Sequence, residues 1–266
     1  SVDTILKKYK HLILPTNNNF DFYNGGTPVS VSHPKDAETV RLPGSVIQVM
    51  VNNTKFGVLE HHFYNYHKVL KWEMYTYLIF KKYLRKDRSY IDIGAWIGPT
   101  ILYAWEIGVK SIYGVEPNPN SFEMLKYNCK INNISAKLER LCILDNKGWT
   151  KLGYDNNDPY SDMTSIKGDL WKTPTISLSQ YLERYCENDW DLIKIDIEGA
   201  ETFIWDDLKR LSERKSSVIL LSLHPPFWED KRHTLKALCE AISGFKLMNR
   251  NLQPLTLNTL KNMIMT

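Results

Sequence analysis

Residues 90–99 read YIDIGAWIGP, an apolar, strand-like run that leads into two closely spaced glycines. We expect Gly94 to allow a tight turn after the strand, and Gly98 to allow the next helix to approach closely. Residues 99–107 have a helical pattern, and the first turn of a helix presents free amides to a ligand. The stretch therefore predicts a strand–turn–helix unit with a ligand at the turn.

An acid follows the next predicted strand, at residues 111–115. Glu116 comes 24 residues after Asp92 and precedes Pro117 and Asn118. An acid at the tip of the second strand of a βαβ unit accepts hydrogen bonds from two ribose hydroxyls. Loop and acid together indicate a nucleoside cofactor, and the alternative is a plain turn with a surface acid.

The charge of the loop distinguishes between nucleosides. A dinucleotide places its pyrophosphate over a loop that usually has three glycines and no acid. Here the loop carries Asp92, and Trp96 stands near the place of the middle glycine. A carboxylate repels a pyrophosphate but attracts a cation. The sequence therefore favours S-adenosylmethionine, with its ammonium and sulfonium, over the cofactor of a nicotinamide dehydrogenase.

Strands and helices alternate from residue 90 onward. Apolar runs predict strands, and apolar residues at helical spacing predict helices. The predicted strands are 90–93, 111–115, 137–144, 191–197, 218–224, 245–249 and 255–257, and the predicted helices are 72–84, 99–107, 121–131, 177–186, 201–213 and 232–243. Residues 150–175 have no clear period and predict a long loop or a small subdomain. The alternation is typical of an α/β, Rossmann-like, doubly wound, mostly parallel seven-stranded sheet with helices on both faces.

The first 65 residues differ from the rest in being rich in asparagine, glycine and proline. Residues 46–51, 52–54 and 55–59 predict a strand, a turn and a strand. We therefore expect a small β-rich N-terminal appendage over 1–65, a candidate acceptor-binding region, and a catalytic domain over 66–266.

Charged side chains follow the fourth predicted strand of the domain. Residues 192–201 read LIKIDIEGAE, which carries Lys194, Asp196, Glu198 and Glu201. Buried charges need partners, and this strand end is expected beside the cofactor. We interpret Lys194, Asp196 and Glu198 as candidate catalytic or acceptor-positioning residues, and an internal ion-pair network is the alternative.

His224 stands at the end of the fifth predicted strand, before two prolines that stop it. A histidine there is a candidate general base for an acceptor hydroxyl, because its reference pKa is near neutrality. The alternatives are a histidine held by a backbone carbonyl and proton removal by Asp196. The pair Asp196 and Glu198 could hold a divalent metal, but the spacing does not require one, and no metal is predicted.

Composition limits the partners. The chain has 266 residues, with 34 Lys and Arg against 30 Asp and Glu, a net charge of +4 without an obvious basic run. A nucleic-acid acceptor is therefore not expected. No apolar run approaches the length of a membrane span. The four cysteines form no CxxC pair, and scattered thiols in a chain this long indicate a reducing, cytoplasmic compartment.

Three strings resemble the FkbM family of S-adenosylmethionine-dependent methyltransferases: YIDIGAWIGP at 90–99, GVEPNPNSFEMLKYNC at 114–129 and LIKIDIEGAET at 192–202. The resemblance runs from about Trp72 to about His224. It implies a class I methyltransferase fold for residues 66–266. Members are typically O-methyltransferases that act on hydroxyls of sugars, glycans or secondary metabolites.

The resemblance also implies a set of cofactor contacts. They are Asp92, Gly94, Ala95 and Gly98 in the loop, Glu116 and Asn118 after the second strand, Glu73 and Thr100 near the methionine end, and Asp145 and Asn146 near the adenine. The family often has a glutamate two positions before the histidine of the fifth strand. This chain has Ser222 there, so the role of that glutamate is not carried over.

The function predicted from these features is O-methylation of a sugar or glycan hydroxyl by S-adenosylmethionine. Transfer is an in-line displacement, so the protein mainly aligns the reactants and removes the hydroxyl proton. The alternatives are an O-methyltransferase for a small secondary metabolite and an inactive fold that serves as a binding module.

Overall fold

The computed structural model describes residues 11–14, 42, 44–67, 72–154, 164–186, 190–214 and 218–265. The strands are β1 (His11–Leu14), β2 (Val46–Val51), β3 (Thr54–Leu59), β4 (Ser89–Ile93), β5 (Ser111–Val115), β6 (Ala136–Glu139), β7 (Cys142–Ile143), β8 (Gly148–Tyr154), β9 (Thr164–Ser165), β10 (Trp171–Ile176), β11 (Trp190–Ile195), β12 (Val218–Leu221) and β13 (Lys246–Asn249). The α-helices are α1 (His62–His67), α2 (Met74–Tyr83), α3 (Pro99–Ile107), α4 (Pro119–Ile131), α5 (Leu178–Tyr185), α6 (Trp205–Leu211), α7 (Lys231–Ile242) and α8 (Leu257–Met265), and 3-10 turns lie at Ala200–Phe203 and Pro225–Phe227.

A seven-stranded sheet forms the centre of the molecule, in the order β13-β1-β12-β11-β4-β5-β6. Each neighbouring pair is parallel, and Lys194 of β11 stands opposite Asp92 of β4. The carboxyl ends of the strands therefore meet at one edge, where ligands bind in sheets of this type. The α/β, Rossmann-like sheet predicted from the sequence is confirmed.

Two predictions about the strands of the central sheet are corrected by the structure, and the first concerns β1. It lies inside the sheet between β12 and β13, although His11–Leu14 falls in the range assigned to the appendage. The seventh strand predicted at 255–257 is wrong, because helix α8 begins at Leu257. The four residues HLIL are buried throughout, and a short apolar run surrounded by polar sequence gives no periodic signal.

The β2–β3 hairpin, predicted from the sequence, packs on the sheet's helical layer. Asn128 of α4 accepts a hydrogen bond from the Leu59 amide at 2.7 Å and donates one to the Ile97 carbonyl at 3.0 Å. Asn132 accepts one from the Gly57 amide at 2.9 Å. Two asparagines therefore fasten the hairpin to α4, and Asn128 also joins it to the glycine loop.

Helices cover both faces of the sheet, and each face of the sheet has its own apolar core. One core includes Phe80 of α2, Leu102 of α3 and Leu125 of α4, together with the hairpin. The other includes Tyr181 of α5 and Leu238 of α7. Side chains of successive strand residues point to opposite faces, and this alternation divides the strands between the two cores.

Residues 142–176 contain a second sheet of four strands, in the order β7-β10-β8-β9. Cys142, Leu152, Tyr154 and Trp171 form its small core. Of the two forms predicted for 150–175, the described residues adopt the subdomain. The strand predicted at 137–144 is divided between β6 and β7.

The four cysteines are free thiols. In the described part of the chain, no helix is long and apolar enough to cross a membrane.

Candidate active site

The turn after β4 is held against two neighbouring strand ends. The amides of Gly94 and Ala95 both donate to the Val115 carbonyl at 2.9 Å. Gly94 has φ +85°, and a Cβ there would lie 1.9 Å from the Asp196 carbonyl oxygen. Gly98, with φ +95°, precedes α3, and a Cβ there would lie 2.7 Å from a methyl of Leu125. The two glycines therefore fulfil the turn and close-approach roles predicted for them.

Asp92 lies at the end of β4 and is fully buried. Its Oδ2 accepts a hydrogen bond from the Thr100 hydroxyl, and its Oδ1 lies 3.9 Å from Nζ of Lys194. Burial raises the pKa of Asp92, although Lys194 and Thr100 oppose the rise. Oδ1 makes no hydrogen bond of normal geometry within the described residues, so its contact with Lys194 is an ion pair rather than a hydrogen bond.

Glu116 follows β5 and is 5% exposed. Its Oε2 accepts from the Trp96 amide at 2.9 Å, and its Oε1 accepts from the Asn118 amide at 2.8 Å. Burial raises the pKa of Glu116 to about 7, against these two hydrogen bonds. Each carboxylate oxygen keeps a further lone pair, which leaves capacity for ribose hydroxyls.

Asn118 acts as the N-cap of α4. Its Oδ1 accepts from the amides of Asn120 and Ser121, at 2.9 and 3.2 Å. The side chain therefore caps the helix that follows Glu116.

Lys194 is buried among acids at the sheet edge. Its Nζ lies 3.4 Å from Oδ2 of Asp196 and 3.9 Å from Oδ1 of Asp92. Burial opposes its charge, but Asp196, Asp92 and Glu73 together raise the pKa of Lys194. Burial would raise the pKa of Asp196, yet Lys194 and His224 outweigh it and lower that pKa. The two residues form a stable ion pair at neutral pH.

His224 stands beside this pair. Its Nε2 lies 3.4 Å from Oδ1 of Asp196, and its Nδ1 lies 3.4 Å from Oε1 of Glu201. Burial lowers the pKa of His224, but the contacts with Glu201 and Asp196 prevail and raise it to about 9. His224 is therefore an imidazolium at neutral pH, and it must lose a proton before it can act as a base.

Two further acids lie near the cluster. Glu73 precedes α2 with φ +46° and accepts from the Thr76 hydroxyl at 2.8 Å. Burial raises its pKa, while Lys194 lowers it. Glu198 has φ +49°, and its Oε2 accepts from the Thr164 amide at 2.9 Å. Burial, with Asp196 nearby, raises the pKa of Glu198 to about 8.

Asp145 and Asn146, implied as adenine contacts, are exposed. Asp145 lines a cleft of about 310 Å³ with Trp205, Asp206 and other residues of α6 and α7. No residue of the glycine loop lines that cleft. The implied contact of Asp145 and Asn146 with the adenine stays a prediction.

Sequence reasoning assigned no role to several groups that hold the site together. The sequence shows Glu201 only as a charge in the motif, and no pattern predicts the Trp96 amide or the Trp228 indole as a donor. The spacing of LIKIDIEGAE marked Glu201 as a charge that needs a partner. Two of its partners, the His224 amide and the Trp228 indole, lie beyond the end of β12 and have no sequence signal.

The donors and acceptors fit S-adenosylmethionine. The ligand offers two ribose hydroxyls and a cationic sulfonium, and the site offers the carboxylates of Glu116, Asp92 and Glu73. Among the residues that the structure describes, no group of three or more His, Cys, Asp or Glu side chains is arranged to hold a metal ion. Fold and site together define a Rossmann-like transferase that uses a nucleoside cofactor.

A family model described as the methyltransferase FkbM domain matches residues 92–242. Because the match covers more than half of the chain, the protein belongs to the FkbM methyltransferase family, and S-adenosylmethionine is its cofactor. A comparison with curated proteins found no match.

Solved structures share parts of the fold. A SAM-dependent methyltransferase from Agrobacterium tumefaciens is 11% identical with a TM-score of 0.45, over 79% of this chain and 61% of that one. The M. jannaschii tRNA m1G37 methyltransferase is 23% identical with a TM-score of 0.26, over 35% of this chain and 28% of that one. The T. thermophilus 16S rRNA N2 G1207 methyltransferase is 17% identical with a TM-score of 0.29, over 36% of this chain and 27% of that one. The chain therefore spans less than two thirds of these proteins, and likenesses at this level do not bear on its acceptor.

Proposed function

We propose that the protein transfers the methyl group of S-adenosylmethionine to a hydroxyl of a sugar or glycan. The observation that carries the proposal is the contact between His224 Nε2 and Asp196 Oδ1, at 3.4 Å, on strand ends next to the glycine loop. Each side chain is 24% exposed, so neither is fully shielded from solvent. A hydroxyl must lose its proton as it attacks, and this pair can receive it.

Either side chain of the pair could accept the proton of the acceptor hydroxyl, and their charges determine how readily each does so. Asp196 is ionised at neutral pH and is a weak base, because Lys194 and His224 lower its pKa. His224 becomes a stronger base only after it loses its own proton, near pH 9. A neutral amine attacks without losing a proton first, so a paired acid and base supports a hydroxyl acceptor.

Glu116, Asp92, Glu73 and the amides of the glycine loop are the groups that would hold the cofactor. When bound, S-adenosylmethionine supplies a methyl group already activated by the sulfonium. The protein's own residues then need only orient the acceptor and remove its proton. The net charge of +4, without an obvious basic run, supports a sugar rather than a nucleic acid as the acceptor.

The test has two stages. Calorimetric titration with S-adenosylhomocysteine, with NAD in parallel, is expected to show micromolar binding of the former only. Glu116→Ala is expected to abolish that binding, because the ribose hydroxyls lose their acceptor. Glu183→Ala is a matched control, since it removes an exposed glutamate of α5 that has no place in the predicted cofactor site, and it should bind normally.

The second stage is a screen with a labelled methyl donor against sugars, glycans, secondary-metabolite alcohols and tRNA. Label in a sugar or glycan supports the proposal. Label in a metabolite alcohol alone, in tRNA alone, or in no acceptor despite cofactor binding contradicts it.

A further inference from the structure

Glu201 is a buried carboxylate whose contacts all lie at the active-site edge. It belongs to the turn Ala200–Phe203 and is fully buried. A buried carboxylate is costly unless several donors surround it. Oε2 accepts from the Gly199 amide at 2.6 Å, while Oε1 accepts from the His224 amide and from the Trp228 indole at 3.3 Å. Glu201 thereby joins the loop after β11 to the loop after β12.

The same oxygen also faces the His224 ring. Oε1 of Glu201 lies 3.4 Å from Nδ1, and Oδ1 of Asp196 lies 3.4 Å from Nε2 on the opposite side of the imidazole. Glu201 is fully buried, whereas Asp196 and His224 are each 24% exposed. The ring therefore has an inner carboxylate at Nδ1 and an outer carboxylate at Nε2. Oε1 of Glu201 therefore accepts from the His224 amide and also faces Nδ1 of the ring, which is buried and has no hydrogen-bond partner among the described residues.

We propose that Glu201 is the positioning residue of His224: it keeps a proton on Nδ1 and directs Nε2 toward Asp196 and the acceptor. This inference deepens the proposed function, on which its catalytic meaning rests. A histidine that keeps its Nδ1 proton on an inner carboxylate exchanges protons through Nε2. Glu201 thus determines which nitrogen meets the acceptor hydroxyl without touching the acceptor.

The groups that face His224 come from three places in the chain. Asp196 follows β11, Glu198 lies in the next loop, and Glu201 lies in the turn; the ring of Phe227 lies 6.1 Å away, centroid to centroid. The pKa of His224 is lowered by burial and raised by Glu201, Asp196 and Glu198, to about 9 in total. Removal of the Glu201 charge is therefore expected to lower it.

The test is an NMR titration of the His224 imidazole in the full chain, which requires neither cofactor nor acceptor. Glu201→Gln keeps the side-chain size and one oxygen acceptor but removes the charge. We expect the pKa of His224 to fall to about 8 or below, a tenfold or larger change in the ratio of charged to neutral ring. The nitrogen shifts should also show loss of the Nδ1-protonated tautomer in the neutral ring.

Asp207→Asn is the matched control. Asp207 is another buried carboxylate, and it accepts from the Leu178 amide at 3.0 Å and from the Ser179 hydroxyl, away from His224. Its replacement should lower stability without moving the titration. If Glu201→Gln loses stability like the control and leaves the titration and tautomer unchanged, Glu201 only fastens the loops and the proposal is wrong.

A shorter carboxylate gives a second comparison, for use also if the glutamine variant does not fold. Glu201→Asp keeps the charge near the loops, so the pKa of His224 should stay closer to that of the wild type than in Glu201→Gln or Glu201→Ala. An equal pKa in all folded variants would overturn the proposal. Failure of S-adenosylhomocysteine to bind would contradict the proposed function instead, because the titration does not depend on it.

Discussion

Lys194→Met tests whether the buried ion pairs at the sheet edge depend on one cation. The Lys194 ammonium lies 3.4 Å from Asp196 and 3.9 Å from Asp92, and its side chain is 4% exposed. Methionine has a similar length and no charge. The substitution therefore leaves two neighbouring acids without their shared partner.

The expected cost follows from these distances. At an effective dielectric constant of about 20, the two contacts contribute about 5 and about 4 kcal/mol of attraction. Desolvation of the ammonium offsets part of this attraction, and loss of one partner of a buried pair typically costs about 3–5 kcal/mol. We therefore expect the free energy of unfolding to fall by about 3–5 kcal/mol at pH 8.

The cost should depend on pH in a defined direction. Lys194 lowers the pKa values of Asp92 and Asp196, so both rise in the variant. An acid whose pKa is raised in the folded state destabilises that state at pH values where the acid is ionised. The destabilisation disappears when the acid is protonated. The loss should therefore be larger at pH 8 than at pH 5, measured by urea unfolding at both values.

A second substitution provides the control. Asp92→Asn in the Lys194→Met background removes one of the stranded charges and should recover part of the stability at pH 8. A loss of less than about 1 kcal/mol at pH 8 would refute the reasoning, since that is the scale of an exposed pair. A loss of equal size at pH 5 and pH 8 would refute it as well.

Three further predictions concern the turn, the histidine and the hairpin. Gly94→Ala should cost at least about 1–2 kcal/mol of stability from the left-handed backbone alone and should lower the melting temperature. Gly44→Ala should leave the melting temperature unchanged, because a Cβ there meets nothing within 4 Å. Equal melting temperatures of the two variants would contradict the predicted backbone strain at Gly94. The pKa of His224 is raised from 6.5 to about 9, so its stabilisation is complete below pH 6.5 and is lost as the pH rises toward 9. Between pH 6 and pH 10, the free energy of unfolding of the wild type, measured in urea, should fall by about 3 kcal/mol relative to that of His224→Gln. Parallel plots of the free energy of unfolding against pH for the two proteins would contradict this. Asn128→Leu should cost about 1–3 kcal/mol and speed hydrogen exchange at the Leu59 amide, and unchanged exchange there would mean that the hairpin does not depend on Asn128.

The sequence predicted those parts of the fold that have a local signal. Gly94 and Gly98 stand where only a residue without a side chain fits, so their placement could be inferred from the spacing alone. The apolar runs of β4, β5, β11 and β12 are long enough to be recognised. Asp92, Lys194 and Asp196 are predicted at one edge because parallel strands end together, and Lys194 lies within 4 Å of each of the two acids.

The remainder depends on contacts between distant segments. Glu201 could face Lys194 in an ion-pair network, or it could face His224. The choice depends on how the loops after β11 and β12 pack together, and the spacing of residues in the sequence does not predict it. The charge state of His224 is likewise a property of three acids assembled by the fold. Asp145 follows a strand at the predicted place, but β7 belongs to a second sheet, and the residue lines a cleft with residues of α6 and α7.

The position of β1 has a consequence for how the polypeptide acquires its shape. During synthesis this strand emerges before its partners, because His11 pairs with Val218 on one side and Lys246 on the other. Pairing between such distant segments is slow, since the connecting chain must first lose much of its freedom. The nascent chain therefore carries an unpaired apolar strand until β12 and β13 have been synthesised. A fragment that lacks it would leave a slot between β12 and β13, and a separate peptide bearing His11–Leu14 could occupy that slot and restore the whole from two pieces.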